Sequence, residues 1–398
     1  MKKISNDHSN GMKPGSANAM VTQALRERGT LSQADLARIT GLGKATVSRA
    51  VAELQRAGLV IDAGRSLSPE GGASGRPAAA LTLNPESGTC VGIQLGAHSI
   101  RAVLADVSHS VLATRTEVLD WDYSPEQAVT VTDQLIENAQ RDAASDPSLL
   151  IAVGIALPSP VHPSTGRVIR SSAIGTWGGI RVNEMFEDRL KRPVFVENES
   201  SCAALAELTW GAARGLSNFA YVKTEGGVGG AVVINGKLQR GVAGGAGEFG
   251  HLIYDPNGPL CRCGNRGCFE YYLSDWALLK PLRPTYGEGF TIGELIDLAL
   301  AGDKGCRRIL VDAAEMMARC ISAACNLLNP EAMVIAGSLI PAGELLMKPL
   351  REFLSRHVLI PLEENEMGPT TRLLTASLGK DASALGAMGL ALRQIGDA

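Results

Sequence analysis

Residues 248–270 read Glu248-Phe-Gly-His251, nine further residues, and then Cys261-Arg-Cys263-Gly-Asn-Arg-Gly-Cys268-Phe-Glu270. Three cysteines and one histidine fall within eighteen residues, with a glutamate beside each end. Three thiolates and one imidazole complete a tetrahedral shell for Zn²⁺ and leave no position for a reactive water, so the set points to a structural staple. Glycines 264 and 267 let the short loop fold back until Cys268 meets Cys261 and Cys263. His251, Cys261, Cys263 and Cys268 are therefore the expected zinc ligands, and Glu248 and Glu270 are left for another task. Disulfides are the competing reading. Of the other cysteines, Cys90, Cys202, Cys320 and Cys325 sit in apolar runs, Cys306 is isolated, and no secretory signal pattern precedes them. A reduced, cytoplasmic protein fits this usage better.

Outward from that stretch, 398 residues suit two or three domains, and a hydrophobic fraction of 45% can bury sizeable cores. No apolar run is long enough to cross a bilayer. The net charge of −3 hides an asymmetry: residues 1–76 hold eleven Lys/Arg against six Asp/Glu, so the head is +5 and the remainder −8. A basic head on an acidic body implies a polyanionic partner for the head alone. The first aromatic residue is Trp121, so the head has no platform on which bases stack, which argues against a single-strand or RNA reader.

Within the head, residues 1–16 read as a disordered polar tail and 17–84 as a winged helix-turn-helix domain. Met20, Val21, Ala24 and Leu25 share one helical face that stops at Gly29. Ser32-Gln-Ala-Asp35 has the form of a capping box opening a second helix through Thr40. Ala37, Gly41 and Val47 then fall at the fifth, ninth and fifteenth places of a helix-turn-helix unit that starts at Gln33. The small residue permits close helix approach, the glycine takes a left-handed turn and the valine fills the wedge. A third helix from Lys44 would present Lys44, Thr46, Ser48 and Arg49 to phosphates and base edges of a duplex. Leu59–Asp62 and Ala80–Leu83 are the expected wing strands. Arg76, held out by Gly75 and Pro77, is placed to enter a minor groove, although an ordinary linker fits that segment equally.

Beyond Gly88 a strand-rich start (90–95, 101–107, 111–118) leads to a helix at 125–141 and a strand at 150–156. The pattern recurs from Phe219 through Ala332–Ala336, which predicts two similar α/β halves with a cleft between them. This body resembles the ROK family (repressors, open reading frames and sugar kinases) over roughly residues 88–395. The resemblance is carried by the cluster above and by Gly227-Val-Gly-Gly-Ala-Val-Val-Ile-Asn-Gly-Lys-Leu238, followed by Gly241 and Glu248-Phe-Gly-His251. It implies an N-terminal winged helix-turn-helix plus a duplicated actin-like ATPase (ribonuclease H-like) two-lobed body spanning 88–398, with the zinc loop at about 251–268. The head makes the chain similar to the repressor branch, which holds xylose-, N-acetylglucosamine- and glucose-responsive regulators.

By that resemblance Asn198, Glu248, His251 and Glu270 are the sugar contacts, with His251 serving the metal through one nitrogen and a hydroxyl through the other. Trp177 is the expected apolar platform of the pocket. An ATP-dependent sugar kinase carrying a DNA-binding head is the alternative. Three departures argue against it. Active members have an acidic residue and Gly-Gly-Thr at the first phosphate loop, where this chain has Gln94-Leu-Gly-Ala-His98. They have Gly-Thr-Gly at the second, where it has Glu225-Gly226-Gly227. Their catalytic aspartate is replaced by Glu199, and one extra methylene displaces a base by about 1.5 Å, enough to cost roughly a hundredfold. Glu199 remains suited to hold a hydroxyl. The expectation is a non-enzymatic regulator, most simply a repressor, that pairs as a homodimer on an operator and responds to a sugar. In the long helix near 307–328, the apolar stripe from Ile309 to Leu327 reads as core before subunit interface.

Overall fold

In the head, each helix begins and ends where the local chemistry dictates. In the computed structural model, described over residues 15–65, 79–121, 123–169, 175–360, 362 and 370–395, helix α1 (Ala17–Arg28) is capped by Ser16 and closed by Gly29 at φ 73°. A two-residue strand β1 (Leu31–Ser32) leads into α2 (Gln33–Thr40), whose capping box joins Ser32 and Asp35 in both directions. Arg38 and Ser32 both hydrogen-bond the Asp35 carboxylate and hold its pKa below the usual value. Gly41 closes α2 at φ 70°, the left-handed conformation that side chains resist. Helix α3 (Lys44–Arg56) buries Val47 completely. The wing pairs β2 (Val60–Arg65) with β3 (Ala79–Leu83), Val60 opposite Leu83, and β3 also pairs with β1, an additional edge strand that two residues are too short to announce. The tail at 1–14 and the wing tip with Arg76 lie outside the described residues.

The body contains two five-stranded sheets of matching order. The first comprises β4 (Thr89–Leu95), β5 (Ser99–Asp106), β6 (Val111–Val118), β7 (Leu150–Leu157) and β8 (Val194–Asn198), with spatial order β6-β5-β4-β7-β8. β4, β5 and β6 form an antiparallel meander and β4 runs parallel to β7, Cys90 opposite Ala152. β4 is buried almost throughout, the mark of a central strand covered on both faces, whereas β6 is largely exposed at the edge. Helices α4 (Pro125–Asp142) and α5 (Val182–Leu190) belong with this sheet's segments. After α6 (Glu199–Trp210), the second sheet comprises β9 (Phe219–Glu225), β10 (Gly227–Ile234), β11 (Lys237–Gln239), β12 (Ala332–Gly337) and β13 (Arg372–Thr375), ordered β11-β10-β9-β12-β13. The duplication read from the sequence is thus present strand for strand.

By contacts the chain divides into two compact units: Met1–Leu157, Val182–Val196 and Ala387–Ala398 in one, Pro158–Arg181 and Glu197–Gly386 in the other. The second unit carries short helices α7 (Glu270–Leu273), α8 (Asp275–Leu279) and α9 (Arg283–Tyr286), then α10 (Ile292–Ala301), α11 (Lys304–Leu328) and α12 (Glu344–Ser355). Ala220, Val222, Met333 and Ile335 of its sheet share one core with Leu310, Ala313, Met317 and Ile321 of α11 and Leu346 and Leu350 of α12. The α11 stripe is therefore mainly core, except that Leu327 at its end is 83% exposed. The last helix, α13 (Ala382–Gln394), runs from the second unit into the first. No helix among the described residues is long and apolar enough to cross a membrane.

Candidate functional site

The loop 251–268 closes as its glycines require. Gly264 has φ 97° and Gly267 φ 63°, and a Cβ on Gly267 would lie 1.6 Å from the Asp255 carbonyl oxygen, so only glycine fits there. Two short bridges, Ile253 with Cys268 and Leu260 with Arg266, hold the turn. His251, Cys261, Cys263 and Cys268 are brought together, with their ligand atoms all within 4.8 Å of one another. Cys261 Sγ is 3.8 Å from His251 Nδ1 and Cys263 Sγ is 3.6 Å from Cys268 Sγ. Such separations exclude a disulfide and approach the edge of about 3.8 Å that a tetrahedron with metal–sulfur bonds near 2.3 Å would have. Burial and the neighbouring thiols push Cys268 up to about 12, and burial raises Cys261 as well. Thiolates there call for a cation to hold them, so the donor set fits a metal.

The glycine-rich strand β10 explains how the candidate polar side chains meet. A Cβ on Gly227 would stand 2.9 Å from Glu270 Oε2, one on Gly229 2.3 Å from Ser200 Oγ, and one on Gly230 2.2 Å from the Phe249 ring. Three segments therefore press on one strand where Gly227, Gly229 and Gly230 leave it bare: α7 with Glu270, the start of α6, and the Glu248–His251 turn. Val228 N–H donates to Glu270 Oε2 at 3.4 Å. Glu248 Oε2 lies 3.9 Å from His251 Nε2, on the opposite side of the ring from the thiol cluster. Burial raises the Glu248 pKa, the His251 ring opposes this and the Glu270 charge reinforces it. Glu248, His251 and Glu270 thus form one partly buried group.

Asn198 and Glu199 stand at the β8–α6 junction. Asn198 Oδ1 accepts from the N–H groups of Ser200 (2.8 Å) and Ser201 (3.2 Å), and its Nδ2 donates to the Ser159 carbonyl at 3.3 Å. Its oxygen is committed to capping α6, which leaves one amide hydrogen for a ligand. Glu199 Oε1 accepts from Lys223 Nζ at 3.1 Å, and Glu225 Oε2 lies 3.4 Å from the same ammonium. Burial pulls the Lys223 pKa down, yet Glu199 and Glu225 outweigh it and hold it above the usual lysine value. Sequence reasoning missed Lys223, whose only signal was a charge inside the apolar run Phe219–Val222 and β10. Trp177 departs from expectation. It is 0% exposed, so it offers no open face for a sugar to stack on. The neighbouring residues 171–174 lie outside the described part.

In the head, Lys44, Thr46, Ser48 and Arg49 are all exposed on α3, while Val47, Ala50, Val51 and Leu54 turn inward. The helix thus sorts its residues into a core face and a free basic face, as a groove-reading helix requires.

Comparison with known proteins accords with both parts. The chain belongs to the ROK family, whose profile matches residues 90–394, and a MarR family profile matches residues 20–65. A xylose repressor of Bacillus spizizenii is 31% identical over 378 residues, covering 95% of each chain. A crystal structure of a ROK family transcriptional regulator, a homologue of the E. coli MLC protein, superposes over 96% of both chains with a TM-score of 0.76 at 22% identity, and so supports the fold. A ROK family glucokinase from Streptomyces griseus, in complex with glucose and AMPPNP, covers 76% of this chain and 99% of its own at TM-score 0.68 and 27% identity. The xylose repressor and the MLC homologue match nearly the whole chain, whereas the glucokinase covers 76% of it. The protein is therefore a ROK-type DNA-binding regulator with a winged helix-turn-helix head.

Proposed function

We propose that this protein is a sugar-responsive transcriptional repressor whose body binds a sugar without phosphorylating it. The observation that carries the reading is the joining, in one chain, of a free Lys44/Thr46/Ser48/Arg49 face with carboxylates and an imidazole packed around a metal-type cluster. Carboxylates accept from paired sugar hydroxyls, and Asn198, Glu199, Glu248, His251 and Glu270 supply acceptors together with one free amide hydrogen. His251 turns Nδ1 towards the thiols and Nε2 towards Glu248, which suits a ring serving metal and ligand at once. Zn²⁺ held by His251, Cys261, Cys263 and Cys268 would supply a closed shell and hence rigidity, not reactivity. Two heads, paired by homodimerisation, would read half-sites about 34 Å apart on a palindromic operator, with Arg76 reaching a minor groove.

The kinase reading has one specific support, the glucokinase likeness of the body. Against it stands Glu199 at the position of the catalytic base, tied to the Lys223 ammonium and thereby already engaged. Anisotropy titration of a duplex selected from a randomised library, with D-xylose, D-glucose and N-acetyl-D-glucosamine in turn, tests the reading. One sugar should change duplex affinity by roughly 5- to 150-fold. No change across the panel would overturn it, and sustained ADP release from ATP plus a sugar would put the kinase in its place.

A further inference from the structure

α13 is attached at its two ends to quite different things. In the second unit α6 grips the approach to it and its first turns. Glu207 of α6, wholly buried, accepts N–H bonds from Ser377 (2.9 Å) and Leu378 (2.9 Å), just before α13 begins. Ser383 Oγ donates to the Glu199 carbonyl at 3.1 Å. Gly386 lies so close to α6 that a Cβ there would fall 1.7 Å from the Cys202 carbonyl oxygen. In the first unit the other end of α13 meets the head. Gln23 Nε2 of α1 donates to the Arg393 carbonyl at 2.9 Å, and Arg393 Nη2 donates to the Glu27 carbonyl at 3.3 Å. Between these attachments Ala384, Ala387, Met388, Ala391 and Leu392 are fully buried. A Cβ on Gly154 of β7 would lie 1.8 Å from the Ala387 carbonyl oxygen, so this contact too is backbone on backbone.

We infer that α13 is the element that carries occupancy of the Glu199 site to the DNA-binding head. The inference rests on the effector reading of Asn198 and Glu199 given above. A ligand that moves the start of α6 moves α13 with it, because α6 meets α13 at Ser383 and Gly386 and holds the segment just before it with the buried Glu207 carboxylate. Close-packed backbone passes such a shift on instead of absorbing it. About 15 Å along the same helix, the displacement arrives at Arg393, which is hydrogen-bonded to Gln23 and Glu27 of the head. Since α1 packs on α3, a shift or release there changes how the basic face of α3 is presented. The ligand acts only through the difference in its affinity for the two positions of α13.

The test uses the full chain and a Gln23→Ala/Arg393→Ala variant, which removes the Gln23–Arg393 and Arg393–Glu27 bonds and touches neither the candidate sugar site nor α3. Both proteins are titrated with the selected duplex, with and without whichever of D-xylose, D-glucose and N-acetyl-D-glucosamine raises the melting temperature of the unmodified chain. The variant should keep its melting shift with sugar, while the sugar's effect on duplex affinity falls from roughly 5- to 150-fold to less than about twofold. An undiminished effect overturns the inference and leaves the effector reading standing. If no sugar alters melting or duplex binding of the unmodified chain, the effector reading fails and the inference falls with it. Hydrogen exchange on the unmodified chain gives a second readout free of any folding defect: sugar should alter exchange at 23–29 and 387–395, and unchanged exchange there also overturns the inference.

Discussion

The two sheets repeat one plan, yet their second hairpins end in opposite ways. In the second sheet β10 turns into β11 through Asn235 and Gly236, at φ 53° and 70°, the tight two-residue turn that follows strand twist and ends there. In the first sheet β5 and β6 are joined by four residues, Val107–Ser110, and His109 at φ 78° reaches the head. Its Nε2 meets the Arg26 carbonyl of α1 at 2.9 Å, and Gly29 lies against the ring. The strands preceding the turns differ as well. β10 has glycines where Glu270, Ser200 and Phe249 press in, whereas the matching β5 reads Ser-Ile-Arg-Ala-Val-Leu-Ala-Asp and fills its own space. One copy gathers polar side chains and the other receives the DNA-binding head. Duplication thus supplied two equal frames, and small changes in turn length and side-chain volume divided the work.

The gathering copy should suffer most from disruption of its His251/Cys261/Cys263/Cys268 cluster. Cys263→Ser removes one thiolate and loosens the loop that ends in Glu270. It should lower the stability of the second unit by on the order of 5 kcal/mol, about 10 °C or more in its melting transition. Elemental analysis should find one zinc per chain in the parent and less in the variant, and duplex binding should outlast the sugar response. A metal-free parent of equal stability would remove the cluster from the account of how β10's neighbours are held.

Lys223 gives the next largest effect in the same copy. Lys223→Met leaves Glu199 beside a second carboxylate without the cation, and breaking a buried pair costs roughly 3–5 kcal/mol. Glu225 is 53% exposed, so solvent screens part of the loss and about 2–3 kcal/mol is the expected figure. Pairing the change with Glu199→Gln should restore much of it. Denaturant unfolding of the single and double variants measures this, and a double variant no better than the single would show that the charge balance is not what Lys223 contributes.

What could be read in the sequence, and what could not, follows from the range of the interactions. The capping box at Ser32, the turn at Gly41, the inward Val47 and the four metal-type ligands all act within twenty residues, so spacing alone exposed them. The recurring strand pattern likewise gave both halves, because central strands such as β4 are buried on both faces. Lys223 with Glu199, Ser383 with Glu199, and Arg393 with Glu27 are separated by 24, 184 and 366 positions. No local periodicity encodes such pairs. Trp177 was misjudged for a related reason: an aromatic in a Gly/Ser-rich stretch looks available, and only packing reveals that it is enclosed.

The receiving copy should show the smallest effect, and it is a dependence on pH. A carbonyl only accepts, so His109 Nε2 carries a proton in its bond to Arg26. Burial lowers its pKa to about 4 from 6.5; the Arg26 carbonyl opposes this, the Arg393 charge adds to it and Asp106 works against it. The folded pKa lies below the unfolded one, so the contribution is complete above about 6.5. It shrinks as acid protonates the unfolded chain first, and it is gone once the pH falls through about 4. The full shift corresponds to about 3 kcal/mol, and because the ring is only half-buried, about 1–2 kcal/mol is expected after screening. His109→Gln can still donate to Arg26 but does not titrate, so its unfolding free energy should fall less steeply between pH 6.5 and 4 than the parent's. Parallel curves would mean that the ring is solvated and that the long turn of the first sheet does not clamp α1 as its geometry indicates.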